Sequence, residues 1–99
     1  MATTTLIPEK KEAVADYVKY KITQDMLPVT IYATGLASSE EVDLFISFDN
    51  GNRFQTLYQD NVAVVLTATD NVKAIVAPMF IGVKKDATTA LSGVYLETT

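Results

Sequence analysis

The stretch Glu41 to Phe54, EVDLFISFDNGNRF, decides how the chain is read. Its first eight residues alternate, with Val42, Leu44, Ile46 and Phe48 on one face, the period of a half-buried strand. Its last six crowd Asp49, Asn50 and Asn52 around Gly51. A calcium loop of the EF-hand kind needs oxygen ligands at positions one, three and five and glycine at six. With Gly51 at six, positions one and three are Ile46 and Phe48, so that reading fails. Asn-Gly is instead a strong hairpin signal. A two-residue turn would set Phe48 opposite Arg53 and Ile46 opposite Gln55, mixing core and solvent residues on one face. An odd loop of three or five residues pairs Phe48 with Phe54, Ile46 with Thr56 and Leu44 with Tyr58, and keeps the apolar face whole. The sequence therefore predicts a bulged odd loop, Phe48 and Phe54 both buried, and Gly51 or Asn52 in the left-handed region.

The same alternation recurs outward from this stretch. LPVTIYAT places Leu27, Val29, Ile31 and Ala33 on one face, and SGVYLE does so with Val94 and Leu96. VKAIVA sets Val72, Ala74 and Val76 against Lys73. VAVVLTAT is apolar on both faces at its start, as a central strand would be. Turn-forming clusters separate the runs: 35–39, 49–52, 59–61, 70–71 and 86–89. EAVADYVKYKIT fits a helix face through Val14, Tyr17, Val18 and Ile22 and a strand face through Asp16, Val18, Tyr20 and Ile22. Its β-forming residues favour a strand from about Asp16 to Thr23. The fold class is all-β: a small antiparallel β-sandwich, or a Greek-key or jelly-roll-like barrel, of about seven or eight short strands.

Ninety-nine residues suit one domain. Residues 1–11 read as a flexible N-terminal arm and 12–99 as a single β-sandwich domain, because MATTTLIPEKK shows no apolar periodicity. That opening also lacks the apolar stretch of a signal peptide. The longest apolar run, 74–83, is broken by Pro78 and falls short of the roughly 20 residues of a membrane helix, so no membrane partner is expected. Twelve acidic against eight basic residues give a net charge of −4. Between Asp25 and Asp70 the only base is Arg53, which argues against a nucleic-acid partner, since that needs a phosphate-neutralising face.

Catalytic groups are sparse. The chain has no His and no Cys, hence neither the usual base near neutral pH nor a thiolate nucleophile. Glu40, Glu41 and Asp43 cluster, but as a polar turn entering a strand. No phosphate loop, zinc spacing or triad is present, so the chain reads as non-enzymatic and without a cofactor or metal. Tyr17, Tyr20, Tyr32, Tyr58 and Tyr95 are enough for a sugar platform and are equally ordinary strand residues. Pro78 cannot donate to a ladder and so ends or edges a strand. It leaves Met79 and Phe80 near a turn as a candidate partner-binding tip, with Lys10 and Lys11 of the arm as further contacts; folding back into the core is the plainer alternative for Met79 and Phe80.

From Leu27 to Glu97 the order of motifs resembles small structural proteins of tailed bacteriophages. Asp49, Gly51 and Phe54 stand at the hairpin positions, with Phe54 where those proteins often have Trp. Leu66-Thr67-Ala68-Thr69-Asp70-Asn71 resembles their middle strand and turn. Val83-Lys84-Lys85 and Ala87-Thr88-Thr89 resemble their ending, with Ile81-Gly82 in place of the usual Tyr-Arg. The resemblance implies a virion role, most readily a capsid decoration (cement) protein on the outer capsid surface. Its partners would be the major capsid protein and further copies of itself, a trimer being the expected oligomer. The alternatives are a tail- or fibre-associated protein or a carbohydrate-binding β-sandwich.

Overall fold

The computed structural model describes residues 2–98 and consists of two facing antiparallel sheets, a β-sandwich. The first sheet has the order β1 (Ala2–Lys10), β11 (Ser92–Thr98), β3 (Val29–Ala33), β9 (Val72–Ile75). The second has the order β2 (Val14–Ile22), β10 (Met79–Lys85), β4 (Glu41–Ser47), with β5 (Gln55–Thr56) and β8 (Val65–Thr67) sharing the far side of β4. β6 (Tyr58–Gln59) and β7 (Val62–Ala63) form a small separate hairpin. Seven strands have four or more residues; the remainder of the ladder comes from the 55–67 run, cut into four short pieces. The segment open to either a helix or a strand is the strand β2.

Alternation explains the core. Val29, Ile31 and Ala33, then Val42 and Leu44, Ile81 and Val83, and Val94 and Leu96 all point between the sheets and are buried. Each large aliphatic side chain buried there contributes about 1.5–3 kcal/mol.

Four expectations need correction. Residues 2–10 are not a free arm but strand β1, laid antiparallel along β11 from Ala2 opposite Thr98 to Lys10 opposite Ser92. The buried side chains that hold it are Leu6 and Ile7, within a segment that otherwise looks polar. Two register shifts, after Thr5 and after Ile7, accommodate Pro8 at an edge where its missing N–H does little harm. Second, β9 is turned over: Ile75 is buried, while Val72 and Val76 face solvent. Third, 62–67 is not a central strand. Leu57 N–H donates to Leu44 O, Val64 N–H to Leu57 O and Leu44 N–H to Val64 O, so the chain leaves β4 at Leu57 and rejoins it at Val64. Val62, at 66% exposure, lies on the excursion between them.

The fourth correction concerns the opening stretch. Ile46 pairs with Gln55 and Phe45 with Thr56, the even register, and the ladder stops at Ser47. Phe48, next on the core face by alternation, is 76% exposed. Side-chain hydrogen bonding takes over from the strand there. The Ser47 hydroxyl accepts from Gly51 N–H at 2.8 Å and donates to Asp49 Oδ1 at 2.9 Å. Asp49 Oδ1 also accepts from Arg53 N–H, and Oδ2 from Arg53 Nε, both at 2.8 Å. Such short-range bonds compete with ladder pairing. Asn50 (φ 59°) and Gly51 (φ 84°) both lie in the left-handed region, as an Asn-Gly turn of this hand requires. Gly51 also has no room for a side chain, since a Cβ there would sit 2.9 Å from the Phe80 ring.

Candidate contact surfaces

The two ends of the sandwich differ in chemistry, and the sequence-predicted contact residues divide between them. Lys10 and Lys11 lie at the end where β1 turns into β2, Met79 and Phe80 at the end where β10 begins. They are separated by the length of β10, roughly 20 Å at about 3.3 Å per residue, and form no common site.

At the Lys10 end, Lys85 is 1% exposed. Its Nζ donates to Glu12 O (3.1 Å), Asp86 O (3.3 Å) and Thr88 Oγ1 (3.2 Å), so all three donors of the ammonium are used. Burial lowers its pKa, against the pull of Glu12 and Glu40. The Thr88 hydroxyl donates to Ala90 O at 2.7 Å, and Thr88 N–H donates to Lys11 O at 2.8 Å. Glu40 closes the neighbouring loop: its carboxylate accepts from Ala37 N–H (2.6 Å) and Thr89 N–H (2.8 Å), which hold its pKa below the ordinary value. The Lys-Lys and Ala-Thr-Thr motifs are thus a clamp joining three loops. Glu40 belongs to this clamp, while Glu41 and Asp43 stand apart on β4. Among the described residues no group of three acidic residues is placed to hold a metal ion.

At the opposite end, apolar side chains stay in water. Phe48 stands beside a hollow of about 260 Å³ whose apolar walls are Ile22, Pro78, Met79 and Phe80, with Lys21 and Asn50 at its edge. A second hollow, about 410 Å³, lies on the other side of Phe48, bounded by Asp49, Arg53, Phe54 and Gln55. Met79 is half-buried and packs against the core, whereas Phe80 points to the outer face. Alternation concealed Phe48 by placing it inside; the signal that could have exposed it was Ser47-x-Asp49, a pair that caps turns as readily as it extends strands.

The outer face of the second sheet carries an aromatic cluster. Tyr17 and Phe54 stack at 4.2 Å between ring centroids, Phe45 meets Tyr17 edge-on at 5.0 Å, and Phe80 lies 6.3 Å from Phe54. Gly82 makes this possible. A Cβ on it would lie 2.6 Å from the Phe54 ring and 3.0 Å from Tyr17, so only glycine lets both rings lie down on β10. Lys84 Nζ sits 4.1 Å from the Tyr17 ring centre and Lys19 Nζ 5.9 Å from that of Phe54. Glycine inside an otherwise strand-like MFIGVKK was the available sign of a close approach. On the first sheet, Tyr32 and Tyr95 stack at 5.4 Å; burial, and after it Glu97, raises the Tyr32 pKa. Of the five tyrosines only Tyr58 is exposed, at 62%.

No protein-family model, no curated protein and no solved structure matches this chain.

Proposed function

We propose that this protein is a capsid decoration protein of a tailed bacteriophage. It works by contact, without catalysis or cofactor, binding the outside of the assembled shell as a homo-oligomer and holding neighbouring major capsid subunits together. The observation that carries this reading is the apolar end of the sandwich. Phe48 projects over a hollow walled by Pro78 and Met79, and aromatic residues and Met are enriched at protein interfaces. The resemblance of Leu27–Glu97 to phage structural proteins supplies the partner. Because β1 is docked on β11, contact falls to this rigid end rather than to an N-terminal arm, and little ordering entropy is lost on binding.

A protein that binds the lattice but not dispersed subunits stabilises it by mass action, about 2.7 kcal/mol per site at a hundredfold over Kd. Particles lacking the protein should assemble and rupture at lower temperature than complete ones. Added wild-type protein should restore the difference, and Phe48→Asp or Met79→Asp protein should not. Equal heat resistance with and without the protein would overturn the proposal.

One observation favours a second reading. The 410 Å³ hollow between Phe48 and Phe54 combines ring faces with the Gln55 amide and the Asp49–Arg53 pair, a mixture that suits a sugar ring and a tail- or fibre-associated role. Particles that keep their heat resistance but lose adsorption to cells, together with saturable binding of a glycan abolished by Phe54→Ser, would favour it.

A further inference from the structure

The outer face of the second sheet has an uneven distribution of charge around its rings. Lys19 and Lys21 lie along β2 and Lys84 on β10, at one corner. Glu41 and Asp43 share the outward side of β4 at the diagonally opposite corner. Asp43 is directly opposite Lys84 in the ladder, yet the two form no ion pair; the Lys84 ammonium lies over Tyr17 instead. Among the described residues the only ion pairs are Asp49–Arg53 and Asp70–Lys73, so neither corner is neutralised within the chain. The rings between the corners are half-buried by one another and stay partly open to solvent.

We infer that this face is the contact between two copies of the chain, packed face to face about a twofold axis. A half-turn about an axis in the plane of the face, perpendicular to the line joining the corners, lays the lysines of each copy on the carboxylates of the other. It also brings ring against ring at the centre. The result is an aromatic centre with a charged rim, the usual anatomy of a specific interface, and one surface serves both partners, as an isologous contact requires. The sandwich measures 35 × 29 × 24 Å, so one broad face has room for the roughly 800 Å² per partner that a stable interface occupies. The lysines are set in place by the rings beneath them, which reduces the ordering needed on association. The contact closes at two copies, in place of the expected trimer, and it does not depend on the virion reading.

Sedimentation of the full chain over a wide concentration range tests this. Wild type should be a dimer that dissociates as salt is raised, because screening weakens the rim. Lys19→Glu/Lys84→Glu protein and Glu41→Lys/Asp43→Lys protein should each associate roughly tenfold or more weakly than wild type. Their equimolar mixture should recover a dimer. Unfolding midpoints of all four samples, followed by circular dichroism, show whether the substitutions leave the fold intact, and Tyr17→Ser provides an uncharged probe of the same face. A wild-type monomer at every concentration, a trimer, or two charge-reversed proteins that do not pair with each other would overturn the inference.

Discussion

The two ends of the sandwich solve the same problem in opposite ways. At the Lys85 end, three loops meet and their inward carbonyls find donors: a buried ammonium, a threonine hydroxyl and a carboxylate fasten them together. At the Phe48 end, the loop is fastened only to itself, through Ser47, Asp49 and Arg53, and its largest side chain remains in water. Both ends carry motifs of the phage resemblance, so a motif match alone does not distinguish structural residues from contact residues. Burial does. Lys84 and Lys85 are adjacent in sequence, yet one is a surface cation over a ring and the other a structural donor.

The comparison breaks first at Lys85. Lys85→Met keeps the aliphatic volume and leaves three acceptors facing inward; a cost of about 2–4 kcal/mol is expected, read from the urea midpoint. A change below about 0.5 kcal/mol would show that water already serves those carbonyls. Gly82→Ala should come next, at about 1–3 kcal/mol, because its methyl must displace the Phe54 and Tyr17 rings. Near-ultraviolet circular dichroism should change with it. An unchanged aromatic signal would mean that the stack does not rest on β10.

Acid should separate the two ends more gently. The Asp49 carboxyl is held down to about 2 by the bonds from the Arg53 side chain, the Arg53 N–H and Ser47. Its folded value lies below its ordinary one, so its contribution is complete above about pH 4 and is lost as the pH falls toward 2. The Glu40 clip, lowered in the same direction, is lost in acid too. Lys85 stays a cation in acid and keeps its acceptors. Amide exchange should therefore rise at Gly51 and Arg53 while Thr88, bonded to Lys11 O, stays protected; simultaneous loss would mean the ends are not independent. The smallest effect on stability belongs to Phe48→Ser, within about 0.5 kcal/mol of wild type. It should nevertheless be the substitution most damaging to retention on particles. A large loss of stability would show that Phe48 is packed after all.

Fold class was legible because alternation is a local signal, and Val29–Ala33, Val42–Leu44 and Val94–Leu96 each carry it cleanly. The strand ends were not legible. Phe48 obeys the alternation of β4 and escapes its consequence, because the Ser47 and Asp49 side chains outcompete the ladder one residue earlier. β1 was hidden for the converse reason: threonines, a proline and charged residues surround the two side chains that dock it. The aromatic face could not be read from any one segment. It joins Tyr17, Phe45, Phe54, Phe80 and Gly82 from four separate stretches, and only sheet order brings them together.

The docking of β1 on β11 has a consequence in time. That ladder joins residues as distant as Ala2 and Thr98, and β11 lies between β1 and β3, so the first sheet has no centre until β11 arrives. Loops that long must close before their contacts give any return, and proteins dominated by such pairings fold in about milliseconds to seconds rather than microseconds. β1, with no other strand to pair with, is expected to settle last. During that interval the strand edge of β11 and the site for Leu6 and Ile7 stay open. A chaperone that captures exposed strands would find this chain there.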